Sequence, residues 1–341
     1  MTRRPSDVDR DTLVDAKKTQ LGVGTTTPTT AEVDLVGTVV GGYLIEARIG
    51  AGATGAVYRA SHLDTKRVVA LKSLHEHHLN EPNTVARFRR EARLAARLGH
   101  PHLAGVYELV ETEDGRFFIA LELVEGEPLT AIMTMPLPPE RVMVIAAQLL
   151  RGLEHAHAMG MVHRDLKPDN VLVEWRNARD HARIVDFGIA IVQEGSADSI
   201  ERLTATGHVV GTLLYMAPEQ ALGDVVDERA DLYSLGVIVY EMIAGVPPFE
   251  GKDLEVLGKK LKTDPPPFAD RVPSLIVEPM LERFCRKLMS RDLDRRFQTA
   301  RQALHVLKLV ETDPAAAGPA LGIMDVEKAL SIVSLPAPKR P

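Results

Sequence analysis

Apolar residues change their spacing along the chain, and each change marks a different kind of element. From Tyr43, short β-type runs cover 43–49 (Tyr-Leu-Ile-Glu-Ala-Arg-Ile), 56–60 (Ala-Val-Tyr-Arg-Ala) and 68–72 (Val-Val-Ala-Leu-Lys), separated by glycine-rich or polar turns. Such runs predict an antiparallel meander. Val85, Phe88, Ala92 and Ala95 then recur at helical spacing, and Gly99 stands where a C-terminal cap belongs, so a helix is predicted over 84–98. Two more strands are predicted over 104–111 and 116–123. Beyond Gly126 the pattern turns mainly helical, with helices over 139–159, 231–243, 277–289 and 299–310. These elements describe an α+β chain in two lobes. A small antiparallel β-sheet lobe with one key helix is joined to a larger, mainly helical lobe.

The two ends lie outside this pattern. Residues 1–42 are polar, with the run Thr25-Thr26-Thr27-Pro28-Thr29-Thr30, and hold too few apolar side chains to offset the entropy of ordering. They read as a flexible threonine-rich arm. Threonines near Glu32 and Asp34 are candidates for phosphorylation and capture by a phosphothreonine-binding, FHA-like partner. After Val310, a Pro- and Ala-rich tail spans 311–341, within which 325–333 carries the pattern of a short helix. No internal repeat is present.

Composition narrows the classes. With 45% apolar and 26% charged residues in 341, the chain is ordinary for a globular protein. A net charge of -6 gives no global attraction to nucleic acid or anionic lipid. Arg87, Arg89, Arg90 and Arg93 surround Glu91 and read as a solvated helical face. Cys285 is the only cysteine, so no intramolecular disulfide can form, which fits a reducing compartment. The best apolar stretch, 235–249, is short for a membrane span and interrupted by Glu241 and two prolines, so a buried helix is expected. Arg3 and Arg4 are not followed by an apolar run, so no secretory signal is expected and the expected location is cytoplasmic.

Three segments carry the chemistry. The run Ile49-Gly50-Ala51-Gly52-Ala53-Thr54-Gly55-Ala56-Val57 spells G-x-G-x-x-G-x-V between two predicted strands, and glycines let a backbone turn sharply and approach a polyphosphate. A dinucleotide site offers the same glycines but needs a helix after the third one, whereas 56–60 continues as a strand. On the next strand, Val68, Ala70 and Lys72 share one face, where a small residue can roof a flat base while the lysine reaches phosphates. Glu91, central in the following helix, is a suitable ion-pair partner for Lys72. The third segment is His163-Arg164-Asp165-Leu166-Lys167-Pro168-Asp169-Asn170, followed sixteen residues after Asn170 by Asp186-Phe187-Gly188.

In their order, these segments resemble the glycine loop, strand lysine, helix glutamate, catalytic loop and magnesium-binding motif of the protein kinases. The resemblance spans about 43–310 and is closest to the bacterial serine/threonine kinases similar to the eukaryotic ones. It implies a kinase domain over 43–310, with the small lobe and hinge at 43–124 and the large lobe at 125–310. It implies ATP and Mg2+ as cofactors and proteins as substrates, phosphorylated on Ser or Thr. Asp165 would orient the attacking hydroxyl, Lys167 would neutralise the transferred phosphate, and Asn170 with Asp186 would hold magnesium. The hinge Leu121-Glu122-Leu123-Val124 would meet the adenine, with Leu121 guarding the rear of the pocket and Leu172 in the same ATP-binding set. Gly211 to Glu219 resembles the substrate-docking loop, with Thr212 as the partner of Lys167. Glu219 would pair with Arg296, and Asp231 would tie down the catalytic loop. Arg164 would hold a phosphate on the activation loop, where Ser196, Ser199, Thr204 and Thr206 lie; Thr206 and then Thr204 are the expected autophosphorylation sites.

Some positions depart from the family pattern. Ala53 and Thr54 stand where that group often has Gly-Met. Ala95 replaces the bulky residue expected to stack on Phe187, so the active arrangement is expected to be less populated and Ala95→Leu to raise basal activity. Many relatives carry a membrane span and an extracellular sensor after the kinase domain; neither is read here, so the input signal is expected to come otherwise. A homodimer through back-to-back small lobes stays open. His75, His77 and His78 do not read as a metal site, having no cysteine or carboxylate cluster nearby. The rival readings are a pseudokinase or scaffold, against which Lys72, Glu91, Asp165, Asn170 and Asp186 all stand, and a small-molecule phosphotransferase, against which the docking loop stands.

Overall fold

The computed structural model describes residues 35–52, 55–73, 82–187, 212–323 and 325–326. The chain divides into two units, Met1–Leu35 and Val36–Pro341. Only Leu35 of the first is described, and the elements below all belong to the second.

Strands β1 (Val39–Val40), β2 (Tyr43–Gly52), β3 (Gly55–His62), β4 (Val68–Ser73), β5 (Val106–Glu111) and β6 (Phe117–Glu122) form a six-stranded antiparallel sheet in the order β1-β2-β3-β4-β6-β5. Along β3, Ala56, Tyr58 and Ala60 are buried while Val57, Arg59 and Ser61 are half-exposed, the alternation that a pleated strand imposes. Register shifts in β2 between Ile45 and Ala47 and between Arg48 and Gly50 bend it as it enters the glycine-rich turn. Helix α1 (Pro82–Ala95) packs on β5. It ends three residues before its predicted end, with a turn carrying the Leu98 amide back to the Ala95 carbonyl at 3.0 Å.

The sheet also begins before residue 43. Val40 pairs with Tyr43 across Gly41 and Gly42, both at positive φ (54° and 86°), so a two-glycine hairpin draws Val39 and Val40 out of the expected arm.

Past the hinge come β7 (Glu127–Pro128), α2 (Leu129–Ile132), α3 (Pro139–Ala158), a 3-10 turn (Pro168–Asn170), β8 (Val171–Arg176) and β9 (Arg179–Ile184). The three strands form a second antiparallel sheet in the order β7-β8-β9. The apolar pattern predicted a mainly helical chain here and placed no strand. The hairpin turns at Asn177 and Ala178, both at positive φ (51° and 60°), with alanine where such turns favour glycine. The flanking strands also carry buried Glu174, Asp180 and Arg183, which break the apolar alternation.

The described remainder is helical: α4 (Thr212–Tyr215), α5 (Pro218–Leu222), α6 (Arg229–Ala244), α7 (Asp253–Lys262), α8 (Phe268–Arg271), α9 (Pro279–Leu288), α10 (Ala300–Thr312) and α11 (Pro314–Ala320). Helix α6 is buried without a break from Ala230 to Tyr240, as expected of a helix apolar on nearly every side. A Cβ on its Gly236 would lie 2.6 Å from Met289 Cγ and 2.8 Å from Leu288 Cβ, so only glycine lets the end of α9 approach this closely. Helix α11 lies in the expected tail; the Asp313 carboxylate accepts from the Ala316 amide at 3.2 Å, and α11 packs on α10. Of the short helix predicted over 325–333, only 325 and 326 are described.

One apolar cluster joins both lobes, from Ala95, Leu98 and Ile119 through Leu150, Phe187 and Tyr240 to Leu304. Among the described residues no helix is long and apolar enough to cross a membrane.

Candidate active site

The glycine turn is fixed by the end of β4. A Cβ on Gly55, at φ 146°, would lie 1.9 Å from the Ser73 carbonyl oxygen, so the position admits only glycine. The Ala56 amide donates to Ser73 Oγ at 2.9 Å, and that hydroxyl donates to the Ala56 carbonyl at 3.1 Å. Ala56 is fully buried and Val57 half-buried opposite Lys72. Ile49, Gly50 and Ala51 are exposed near the end of β2, while Ala53 and Thr54 lie outside the described residues. Glycine at position 55 lets β3 pass directly against the Ser73 backbone.

Lys72 is 5% exposed, and its ammonium lies 2.7 Å from Asp186 Oδ2. The sequence assigned this lysine to Glu91. Among the described residues its ion pair is with Asp186, while Glu91, half-buried on α1, is itself engaged. The strand pattern cannot decide between candidate carboxylates that lie on two different elements. Asp186 is at φ 62° and Arg164 at φ 66°, uncommon for residues with side chains, and their surroundings hold both.

The catalytic-loop candidates meet in one network. Lys167 Nζ is 2.8 Å from Asp165 Oδ2, and Asn170 Nδ2 donates to the Asp165 carbonyl at 2.7 Å. The nitrogen end of Asn170 is thereby spent on the loop, which leaves its oxygen end for a hard cation. The Val185 amide donates to the Asn170 carbonyl at 2.9 Å, and His163 Nε2 lies 3.1 Å from the Val185 carbonyl, so this loop and the Asp186 segment are stitched together. Phe187 packs edge-on to His163 with ring centroids 4.8 Å apart. Ala95 is 2% exposed in the cluster that also buries Phe187.

Asp231 anchors the loop from below. It is fully buried and accepts from the amides of His163 and Arg164, each at 2.8 Å, with His157 Nε2 also at 2.8 Å. Burial pushes its carboxyl up, but the His157 hydrogen bond, the charges of His157 and His163 and the His163 amide outweigh it and hold the carboxyl below its ordinary pKa.

In the hinge, Leu121 (5% exposed) lies opposite half-buried Ala70 on β4, with Val124 buried beyond it and Leu172 half-buried on β8. Glu122 was expected only as a hinge residue. Its carboxylate is gripped by Arg183, with Nη1 2.7 Å from Oε1 and Nη2 on Oε2, and Arg183 also donates to the Leu103 carbonyl at 2.8 Å. The Arg183 hydrogen bond holds Glu122 below the usual carboxylate pKa.

Glu219 and Arg296 form the expected buried pair, bidentate at 2.6 and 3.1 Å, with Arg296 1% exposed. Arg296 also donates to the carbonyls of Ser290 at 2.9 Å and Arg229 at 2.8 Å. Thr212 opens α4. Thr204 and Thr206, and with them Gly188, His75, His77 and His78, lie outside the described residues.

Residues 43–307 match the family model of the protein kinase domain. The chain belongs to the protein kinase family. The serine/threonine-protein kinase pkn3 of Myxococcus xanthus is 43% identical over 254 residues, 73% of this chain and 46% of that protein. The serine/threonine-protein kinase PknE of Mycobacterium bovis is 41% identical over 224 residues, 65% of this chain and 38% of that protein. Among solved structures, the kinase domain of Mycobacterium tuberculosis PknI has a TM-score of 0.62 at 28% identity, over 80% of this chain and 97% of that one. The chain therefore spans less than half the length of the two sequence relatives.

Within this kinase domain, three residues of the network carried no motif. Arg183 is legible only as a charge inside the strand run Ala182-Arg183-Ile184-Val185. His157 follows His155 near the end of α3, where it reads as a helix-terminal cation. Gln220 donates to the Arg164 carbonyl at 2.7 Å and accepts from the Ala217 amide at 3.1 Å, linking the docking loop to the catalytic loop. No pattern in the sequence announces it.

Proposed function

We propose that this chain is a protein kinase that transfers the γ-phosphoryl group of ATP to Ser or Thr hydroxyls of proteins, itself included. The observation that carries the reading is the junction of the two loops. Asp165, Lys167 and Asn170 lie in one hydrogen-bonded unit that is bonded through Val185 to the segment presenting Asp186 to Lys72.

Phosphoryl transfer asks a protein mainly for positioning and for charges set where the phosphate charge moves. Asp165 orients the acceptor hydroxyl and takes its proton. Lys167, already on Asp165, neutralises charge on the phosphate in flight. Lys72 holds the nucleotide phosphates beneath the glycine turn, and the adenine lies between Ala70 and Leu172 against the hinge backbone at Glu122 and Val124. The oxygens of Asn170 and Asp186 would hold Mg2+, whose charge would offset that of the nucleotide phosphates. Glu91 on α1 is the further carboxylate of the family's lysine-positioning pair. Acceptance of Ser and Thr follows the relatives' named activity and the Lys167–Thr212 pairing of that branch. Thr206 and then Thr204 are the self-phosphorylation sites, with Arg164 as the cation that holds the phosphate.

Incubation of the chain with Mg2+ and γ-labelled ATP and an arrayed Ser/Thr/Tyr peptide library tests the proposal. Label on Ser and Thr peptides supports it. Label on Tyr peptides alone, or nucleotide binding with no transfer in the presence of Mg2+ or Mn2+, removes it in favour of a scaffold.

A further inference from the structure

Helix α4 is a single turn, Thr212–Tyr215, in the middle of the docking loop. One turn is too short to satisfy its own carbonyls, because each needs an amide four residues on. Side chains take them instead. The ammonium of Lys260, on α7, donates to the carbonyls of Leu213 at 2.8 Å, Leu214, and Met216 at 3.0 Å. Ser234 Oγ on α6 donates to the Tyr215 carbonyl at 2.8 Å, so each carbonyl from 213 to 216 has a side-chain donor.

Lys260 is 1% exposed, and its ammonium also sits 5.4 Å from the centre of the Tyr233 ring. Among the described residues no carboxylate pairs with it. Burial pushes its pKa down to about 7. An unpaired ammonium inside a protein is costly, and an aliphatic side chain would fill the same space without that cost. What the aliphatic chain cannot do is gather three carbonyls onto one point.

We infer that Lys260 is a positioning residue for the protein substrate, fixing the backbone of 213–216 so that the docking loop presents one shape to the acceptor peptide. The inference rests on the kinase reading above. The contacts of Lys260 are with the docking loop and the Tyr233 ring, away from the glycine turn, the hinge and the Asp165 network, so its effect falls on peptide recognition rather than on ATP. Tyr215 reinforces the arrangement, since its hydroxyl donates to Glu241 Oε2 at 2.6 Å on α6, so α6 and α7 hold the loop from two sides.

The test uses the full chain and one Thr peptide, chosen as the best substrate of the wild-type chain from a degenerate library. Lys260→Met should raise the peptide KM about tenfold, the scale of one or two lost hydrogen bonds, with the KM for ATP within about twofold of wild type. Lys260→Arg, which keeps the charge and donors, should recover most of that loss. The library profile of Lys260→Met should also flatten at the positions beside the acceptor. An unchanged peptide KM and profile overturn the inference, as does an equal worsening of peptide and ATP kinetics, which marks a general structural role. Should Lys260→Met fail to fold, Ser234→Ala decides: a raised peptide KM at constant ATP KM supports the clamp, and no change removes it. A wild-type chain that labels no peptide refutes the kinase reading itself; a wild-type chain that labels the peptide while the variants match it refutes only the clamp.

Discussion

Arg296→Met removes one member of an ion pair that is almost wholly buried. The guanidinium makes two hydrogen bonds to Glu219, at 2.6 and 3.1 Å, and two more to the carbonyls of Ser290 and Arg229. Its loss strands a carboxylate that is 6% exposed. Breaking a buried pair from one side costs about 3–5 kcal/mol. At about 2–3 °C per kcal/mol for a domain of this size, the melting temperature should fall by about 6–15 °C. Thermal unfolding at pH 7, followed by circular dichroism on both proteins at one concentration, measures this. The double variant Glu219→Leu/Arg296→Met removes the stranded charge as well and should recover roughly half of the loss. Full recovery is not expected, because the Ser290 and Arg229 carbonyls still lack a donor. A single-variant shift below about 2 °C, or a double variant no better than the single, would refute the reasoning that the cost lies in the uncompensated carboxylate.

Other expectations concern the site more directly. Asp231→Asn should lower kcat by about 100-fold, because the amides of His163 and Arg164 lose their anionic acceptor and the loop bearing Asp165 shifts; steady-state kinetics at saturating ATP measures it. Since the folded pKa of Asp231 is depressed, its stabilisation is complete above the ordinary carboxylate pKa of about 4 and is lost as pH falls through the lower folded value. Melting curves of wild type and Asp231→Asn should therefore converge below about pH 4 and stay apart at pH 7. Gly55→Ala, whose Cβ meets the Ser73 carbonyl at 1.9 Å, should raise the KM for ATP about tenfold, read from ATP titrations of peptide labelling. Arg183→Met, which releases Glu122 and the Leu103 carbonyl, should cost roughly 1–3 kcal/mol in urea unfolding and weaken ATP binding. Ala95→Leu, expected from the sequence to raise basal activity, also enters a position already 2% exposed, so a loss of about 1–3 kcal/mol in the same unfolding assay should accompany it.

Legibility in the sequence depends on where the physical constraint resides. The glycine run, Asp165 to Asn170 and Asp186 do their work through contiguous residues, so their spacing survives as text. Helices α3 and α10 were legible because their apolar faces recur at helical spacing, and α6 because its run is apolar on nearly every side. The β8–β9 hairpin was not, because buried ionic contacts such as Arg141–Asp180 at 2.8 Å put charges where alternation asks for apolar residues. Helix α7 was missed for the same reason, since one of its three buried positions is Lys260, beside Val256 and Leu257. Partner choice also lies beyond a linear pattern. Lys72 has carboxylates on two different elements within its family role, and only the three-dimensional arrangement shows which one it meets. The Glu219–Arg296 pair was found through resemblance, as its 77-residue separation leaves no local signal.

The most direct test of the kinase reading is intact-mass measurement with phosphosite mapping after incubation in Mg-ATP, on the wild-type chain and on Asp165→Asn made in a host without such kinases. The expected result is phosphate gained by the wild type at Thr206 or Thr204 and none gained by Asp165→Asn. Equal phosphate on both proteins, or none on either with labelled peptides also absent, would contradict it.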